Sequence, residues 1–217
     1  MDVQEVRMQK DRRVQVTNVS DHTVKITHTA TIAALYTGLT LVCILFLGNL
    51  AWGPIQFRLS EAVCVFALFT PDAIAGLTLG CAVANIANIA LSGTGMLGML
   101  DVIFGSLATL VGAALTWRWR GKPALAVAGP VIANALIVPA YLPLMLSGLG
   151  FYTIPFTSIA LDGSYPLMYL FGFVSTGIGE ATVMYALGLP LYHALVRTPL
   201  AKKLAIQHQT TSSRGSK

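Results

Sequence analysis

Residues 30–48 form an apolar run of 19 residues that contains no charged side chain. An α-helix of this length spans about 30 Å, the thickness of the hydrocarbon core of a bilayer. Inside a bilayer every backbone N–H and C=O must be bonded within the protein, so such a run folds as a helix. Of the 217 residues, 55% are hydrophobic and 11% are charged, whereas soluble domains carry about 25% charged residues. The sequence therefore predicts a helical membrane protein.

Further apolar segments predict an all-α bundle of six transmembrane helices. Their predicted ranges are 30–48, 60–70, 72–91, 98–117, 123–147 and 166–196. The second segment is short, because about 11 residues of α-helix cover only half of a bilayer, so it starts earlier, lies tilted or is half-buried in the bundle. We divide the chain into a mobile polar tail that can hold a short interfacial helix near the membrane, the six-helix membrane domain and a basic tail, at 1–29, 30–197 and 198–217.

Basic residues predict the orientation, since Lys and Arg concentrate on the cytoplasmic side of membrane proteins. Of the 14 Lys and Arg residues, five lie before residue 30, three lie at 118–122 and five lie after residue 196. Six crossings place these three groups on one side, so both termini are predicted to be cytoplasmic. Arg58 is the exception and falls on the outer side. The predicted topology thus explains the excess of Lys and Arg over Asp and Glu, and no nucleic-acid binding is predicted.

A small set of polar side chains remains within or beside the predicted helices. A charge at mid-membrane costs about 2.5–3.5 kcal/mol on insertion scales and usually marks a binding site or a pathway. The helix directions bring these side chains together in the outer half of the bundle, where we expect a pocket open to the exterior. The predicted substrate-binding residues are Gln56, Arg58, Glu61, Asn85, Asp101, Asn134 and Glu180.

These residues also have structural interpretations, which stay open at this point. Asp101 can cap the fourth helix, and Asn85 can join two helices by a hydrogen bond. Arg58 and Glu61 can form an ion pair at the rim. Glu180 is the hardest to explain in this way, because it lies about fourteen residues from either end of its helix. A carboxylate at that depth must be paired, protonated or waiting for a ligand.

Patterns that support catalysis do not occur in the sequence. It contains no GxxxxGK[ST] phosphate loop and no HExxH pair. Cys43, Cys64 and Cys81 lie in apolar runs and are predicted to be buried small hydrophobic residues rather than a disulfide or zinc framework. We therefore predict a binding protein that is not an enzyme and that has no metal and no cofactor. ATP hydrolysis, if it drives transport, belongs to another chain.

Small residues recur on one face of the first helix. Ala30, Ala34 and Gly38 are spaced by four residues, so they share a face that lets another helix approach closely. Two interpretations stay open: packing within the same bundle, and docking onto another membrane subunit. The fourth helix carries a similar face at Gly105, Ala108, Thr109 and Gly112, which we assign to internal packing.

Five strings resemble one protein family. They are "GPIQFRLSEA", "PDAIAGLTLGCAVANI", "LDVIFGSLATLVGAAL", "VIANALIV" and "GIGEATVMYALGLPL". Together they are similar to the QueT family, which comprises substrate-binding (S) subunits of energy-coupling factor (ECF) transporters proposed to take up queuosine precursors. The resemblance covers roughly residues 30–197 and leaves out both tails and the loop at 148–165.

The resemblance implies a mechanism, partners and a plasma-membrane location. An S subunit captures substrate near the outer face with high affinity. A transmembrane coupling subunit and two cytoplasmic ATPase subunits form the engine, and ATP hydrolysis topples the S subunit in the bilayer. The face of Ala30, Ala34 and Gly38 then corresponds to the alanine motif that docks on the coupling subunit. The loop at 49–59 corresponds to a gate over the pocket.

The resemblance also implies a 7-deazaguanine substrate, such as 7-aminomethyl-7-deazaguanine or queuine. Its ring edge offers an N–H and an NH₂ that suit one carboxylate, and its O6 needs a donor. The expected roles are a carboxylate on the donor edge (Glu180), amides on O6 or ring nitrogens (Asn134 and Asn85), an acid near the amine (Glu61 or Asp101) and rings that stack on the base (Phe57 and Tyr185). Arg58 either pairs with Glu61 or contacts the substrate.

Other functional hypotheses remain at this stage. One is an S subunit for another vitamin or nucleobase. Another is a stand-alone membrane transporter or an assembly scaffold, which would work without an ATPase partner. A third is a membrane-embedded enzyme, which would need a nucleophile and a base within reach of each other, and the sequence pattern offers no such set.

Overall fold

The computed structural model describes residues 3–48, 58–148 and 165–199, and every regular element among them is helical. Five of these helices are long and apolar enough to cross a membrane. We label them α1 to α5, at Val3–Leu47, Asp72–Ser92, Gly95–Arg118, Pro123–Met145 and Tyr165–Val196. A 3₁₀ helix, Leu59–Leu68, lies between α1 and α2. The predicted all-α fold is confirmed, and α2 to α5 begin and end within three residues of their predicted ranges.

The 3₁₀ helix occupies the place of the predicted second span. A 3₁₀ helix rises about 2.0 Å per residue, against about 1.5 Å in an α-helix. Its 10 residues therefore cover roughly 20 Å of a hydrocarbon core that is about 30 Å thick. Eight of the 10 are buried, so the segment lies inside the bundle. A sixth crossing and the cytoplasmic placement of both termini stay predictions.

The first helix begins earlier than predicted. The prediction left residues 1–29 as a mobile tail, but α1 starts at Val3 and continues through Ala30 without a break. Its apolar part of membrane length is His22–Leu47. The polar residues of this segment do not end a helix, because Gln, Lys, Arg and Glu are good helix formers and neither Pro nor Gly occurs at 3–37.

Glycine and proline set the other helix ends. Gly93 ends α2 with φ of +66°, a left-handed conformation that suits glycine, and its N–H donates to the Ile89 carbonyl. Pro123 begins α4, where its missing N–H costs no helical hydrogen bond. Pro139 and Pro143 lie inside α4, which a membrane bundle tolerates because neighbouring helices can satisfy the freed backbone groups.

Two glycines of α2 let α1 approach closely. Methyl groups added at Gly76 and Gly80 would each lie 2.8 Å from a backbone carbonyl oxygen of α1, those of Thr29 and Ala33 respectively. The Thr37 hydroxyl donates to the Gly80 carbonyl at 3.0 Å. Glycines four residues apart are a known close-packing motif of membrane helices. The motif that joins α1 and α2 therefore lies on α2.

We expect Gly80→Ala to destabilise the protein by about 1–3 kcal/mol, because the added methyl group overlaps a carbonyl that moves only if α1 shifts. Gly38→Ala is the matched control, since nothing lies within 4 Å of that position. Gly38→Ala should raise the free energy of unfolding by up to about 1 kcal/mol, because alanine loses less conformational entropy than glycine when it enters a helix. The thermal midpoint of unfolding in detergent measures both. A Gly80→Ala midpoint at or above the wild-type value would contradict this packing.

Two hydrophobic clusters fill the bundle. One includes Tyr36, Val65 and Met184, and the other includes Ala108 and Tyr141. The predicted packing face of the fourth helix is confirmed, since the residues of α3 that compose it are buried. Each cluster thus contains a buried tyrosine, and the hydroxyls of these two tyrosines reach the polar residues described next.

Candidate functional site

Glu61 lies in the first turn of the 3₁₀ helix and is 1% exposed. Tyr36 of α1 donates its hydroxyl hydrogen to Oε1. The Cys64 thiol, one turn further along, lies 3.3 Å from Oε2 and donates to it. Both carboxylate oxygens therefore have a donor, as a buried carboxylate requires, although both donors are neutral.

Asp101 is held from three other parts of the chain. The Tyr141 hydroxyl of α4 donates to Oδ1 at 2.5 Å, and Arg58 Nη2 lies 3.8 Å from Oδ2. Asn85 Nδ2 of α2 donates to the Asp101 backbone carbonyl at 2.9 Å. All four side chains are buried. One acid therefore ties together α2, α3, α4 and the residue that precedes the 3₁₀ helix.

These contacts correct two structural interpretations and support a third. Asp101 does not cap α3, because the helix begins at Gly95 and Asp101 opens a π turn inside it, Asp101–Gly105. The ion pair that the structure shows for Arg58 is with Asp101 rather than Glu61. Asn85 does join two helices. A π turn interrupts the regular helical hydrogen bonds, which fits the use of the Asp101 carbonyl by a neighbouring helix.

Glu180 lies in the middle of α5 and is 2% exposed. Asn134 of α4 donates from Nδ2 to Glu180 Oε1 at 3.1 Å. Among the described residues this is the side-chain hydrogen bond that Glu180 receives, and one neutral amide is a weak partner for a carboxylate removed from water. Glu180 also lies within electrostatic reach of Glu61 and Arg58. The α4–α5 pair is therefore next to the other acids.

Among the described residues, the buried carboxylates outnumber the buried cations. Of Glu61, Asp101 and Glu180, Asp101 alone pairs with a Lys or Arg side chain in the part of the chain that the structure describes. A buried site with surplus acceptors suits a ligand that brings N–H donors or a positive charge. No group of three metal-ligating side chains is found in the same described ranges.

Six of the seven predicted substrate-binding residues are buried polar side chains. Gln56, together with Phe57 and most of the predicted gate at 49–59, lies outside the described residues. Tyr185 does not join the buried acids, because it is 43% exposed and its hydroxyl donates to the Ala124 carbonyl at 3.0 Å. This contact argues against the stacking role predicted for its ring.

Sequence reasoning missed Tyr36, Tyr141 and Cys64 as partners of the acids. A tyrosine within an apolar run needs a partner for its hydroxyl, so both tyrosines carried a usable signal. Cys64 carried none, because a thiol packs like a small hydrophobic side chain. The prediction that all three cysteines are buried and unpaired by disulfides is confirmed.

We expect Tyr36→Phe to lower stability by about 1–3 kcal/mol, because a buried Glu61 oxygen then lacks a donor. Tyr185→Phe is the comparison, since it removes a hydroxyl that donates to the Ala124 carbonyl from an exposed side chain and should cost about 1 kcal/mol or less. Thermal unfolding in detergent compares the two variants. Equal midpoints would mean that the Tyr36 hydroxyl does not support the buried acid.

The small residues of α1 fall into two strips. Ala33 and Thr37 contact α2. Ala30, Ala34 and Gly38 are exposed, and nothing lies within 4 Å of a methyl group placed at Gly38. Within the described ranges, packing in the same bundle therefore covers the first strip and leaves the second uncovered.

Comparison with known families gives a match to the model described as QueT transporter, over residues 26–197. This range contains all three buried acids and reaches one residue beyond α5. The chain belongs to the QueT transporter family. The predicted family is thereby confirmed. Because the QueT family is one of transporters, the prediction that the chain is not an enzyme is confirmed as well.

One relative in the QueT family is the queuosine precursor transporter QueT of Lactococcus lactis subsp. cremoris (strain MG1363). It is 38% identical over 82 residues, which are 38% of this chain and 43% of the relative. The chain thus matches less than half of the length of this relative. No solved structure matches the chain. With five helices able to cross a membrane, this QueT family member is a multi-pass protein of the plasma membrane, as predicted.

Proposed function

We propose that the chain is the S subunit of an ECF transporter and captures a queuosine precursor for uptake. The family match and the name of the Lactococcus relative support this proposal. The observation that carries it is the Glu180–Asn134 pair buried beside Glu61 and Arg58. A carboxylate so deep in a membrane protein, with one neutral partner, is typical of a site that a ligand completes.

In this proposal the ligand is a 7-substituted 7-deazaguanine, such as 7-aminomethyl-7-deazaguanine or queuine. Its ring N–H and its NH₂ lie side by side, so one carboxylate can accept both. Glu180 takes this edge, because Asn134 supplies it with a single donor. The aminomethyl group brings a positive charge. Glu61, whose donors are neutral, attracts that charge better than Asp101, which already faces Arg58.

The partners in this proposal are a transmembrane coupling subunit and two ATPase subunits, which hydrolyse ATP, while the chain itself holds no cofactor. The uncovered strip of Ala30, Ala34 and Gly38 on α1 serves as the docking face. Asp101 lies near the end of α3 that is opposite to Arg118. With Arg118 on the cytoplasmic side, as the charge rule predicts, the acids open toward the exterior.

Direct binding to the purified protein in detergent tests the proposal. Calorimetry compares 7-aminomethyl-7-deazaguanine, its 7-cyano analogue, queuine and guanine with riboflavin, biotin and thiamine. We expect a deazaguanine to bind and the vitamins not to bind, with the cationic aminomethyl form ahead of the neutral cyano form. If only a vitamin binds, the proposed S-subunit role stands and the proposed 7-deazaguanine substrate is wrong. If no compound binds, even after reconstitution with the coupling and ATPase subunits, the binding role itself is wrong.

A further inference from the structure

Thr176 of α5 is 0% exposed, and its hydroxyl has no hydrogen-bond partner among the described residues. A threonine within a helix can donate this hydroxyl to the carbonyl four residues back. In the part of the chain that the structure describes, six threonines do so at 2.7–3.1 Å: Thr27, Thr40, Thr78, Thr109, Thr116 and Thr182. The Gly172 carbonyl, which Thr176 would use, accepts from Ser175 at 3.3 Å. The Thr176 hydroxyl is therefore buried, and its hydrogen has no acceptor among the described residues.

The position of Thr176 connects it to the acid of α5. Thr176 and Glu180 lie four residues apart on one buried face of the helix, so their side chains are about 5–6 Å apart at Cβ. Asn134 of α4 meets Glu180 on that face. A hydroxyl, an amide and a carboxylate thus lie together, and the protein pairs one amide hydrogen with one carboxylate oxygen while it leaves the hydroxyl unsatisfied. An unsatisfied buried hydroxyl destabilises a fold. The hydroxyls of Thr94 and Ser106 are also buried without a partner among the described residues, but that of Thr176 lies one turn from Glu180, so a ligand that reaches Glu180 can satisfy it.

We propose that Thr176 determines ligand specificity: its hydroxyl donates to the carbonyl oxygen of a lactam edge whose neighbouring N–H is held by Glu180. The inference rests on the proposed function and deepens it. An ionised carboxylate only accepts hydrogen bonds, whereas a hydroxyl can donate. The two side by side therefore recognise an N–H next to a C=O. Asn134 uses one of its two amide hydrogens on Glu180, whereas the Thr176 hydroxyl donates to none of the described residues.

This arrangement discriminates between rings of the same size. A 6-amino analogue presents a ring-nitrogen acceptor to Glu180 and an amino group to Thr176. At Glu180 an acceptor then faces an acceptor. The Thr176 hydroxyl can accept from the amino group, but its own hydrogen finds no acceptor there. Sites that hydrogen-bond a particular edge reject analogues with the wrong pattern far better than apolar pockets reject a change of size. We therefore expect the 6-oxo ring to bind and its 6-amino counterpart to bind much more weakly.

Thr176→Val removes the hydroxyl at nearly constant volume, and Thr176→Ser keeps it. Calorimetry on the full chain in detergent measures binding of 7-aminomethyl-7-deazaguanine and of its 6-amino counterpart. We expect Thr176→Val to weaken binding of the 6-oxo ring about tenfold, the loss of one hydrogen bond, and to weaken binding of the 6-amino compound less, because the hydroxyl hydrogen has no acceptor there. Thr176→Ser should stay within about twofold of wild type. The midpoint of ligand-free Thr176→Val should equal or exceed the wild-type value, because an unsatisfied hydroxyl is gone.

Thr116→Val is the control, because Thr116 is equally buried but donates to the Gly112 and Ala126 carbonyls. It should lower the thermal midpoint and leave affinity unchanged. The inference is overturned if Thr176→Val binds the 6-oxo compound as tightly as wild type, or if its thermal midpoint without ligand is lower. In either case the proposed function still stands, provided that the wild-type protein binds the compound. A wild-type protein that binds no deazaguanine overturns the proposed function itself, and this inference with it.

Discussion

Glu180→Gln is expected to raise the dissociation constant for 7-aminomethyl-7-deazaguanine by roughly 100-fold or more, because a buried hydrogen-bonded charge is worth about 2–5 kcal/mol to its partner. The glutamine removes the negative charge and one of the two acceptor oxygens. Its amide NH₂ then faces donors of the ring, so one donor pair repels where a hydrogen bond existed. Calorimetry on the purified wild-type and variant proteins measures the change.

The structure supplies a control for the loss of a carboxylate. Asp72 is partly exposed in the first turn of α2 and lies 3.8 Å from His28. It precedes Asn85 by 13 residues, which is about 20 Å along the helix. Asp72→Asn should therefore leave affinity unchanged. The ligand-free midpoint of Glu180→Gln should not fall, since the amide is less costly to bury than the carboxylate. A lower midpoint with unaltered binding would instead assign Glu180 to structure.

Ala34→Trp is expected to leave substrate binding unchanged while uptake falls by about tenfold or more, because bulk in a close-packed helix interface costs about 1–3 kcal/mol. Ala34 lies in the uncovered strip of α1, on the face away from the buried acids. The added ring keeps another helix from approaching closely. Uptake is measured in proteoliposomes that contain the coupling and ATPase subunits, and binding is measured on the purified chain.

Leu35→Trp is the matched control for this substitution. Leu35 follows Ala34 directly and is 42% exposed, but it points about 100° away around the helix. Substrate uptake by the Leu35→Trp variant should stay close to the wild-type value, because a tryptophan that faces lipid does not contact the partner subunit. Full uptake by Ala34→Trp would remove the docking face from the proposal. Loss of binding in Ala34→Trp would show that α1 itself is distorted, and the role in docking would then have no support.

The long helices were predictable because a bilayer imposes their length. A run of apolar residues must cover about 30 Å of hydrocarbon, so the ends of α2 to α5 follow from where charges, Gly and Pro interrupt the run. The two differences have physical causes. Helix α1 extends back to Val3 since polar side chains do not end a helix. Leu59–Leu68 winds as a 3₁₀ helix, which hydropathy does not register, because it reports the length of an apolar run and not the type of helix.

The candidate site was predictable in its members and not in its contacts. Acids such as Glu180 stand out in an apolar chain because burying a charge is expensive. The partners did not follow from local sequence, because Arg58 and Asp101 are separated by 43 residues and Tyr141 and Asp101 by 40. The sequence left an ion pair of Arg58 with Glu61 as one possibility, and the structure pairs Arg58 with Asp101 instead, since residues near in sequence need not face each other.

The amino-acid sequence by itself determined that this chain is a helical membrane protein of a transporter family with acids buried in its bundle, since partition into a bilayer depends on the composition of each segment. Only the tertiary structure decided which donors meet those acids, which strip of α1 stays uncovered and that Thr176 keeps an unused hydroxyl. Each of these depends on distances between helices, and close packing, here through Gly76 and Gly80, sets those distances.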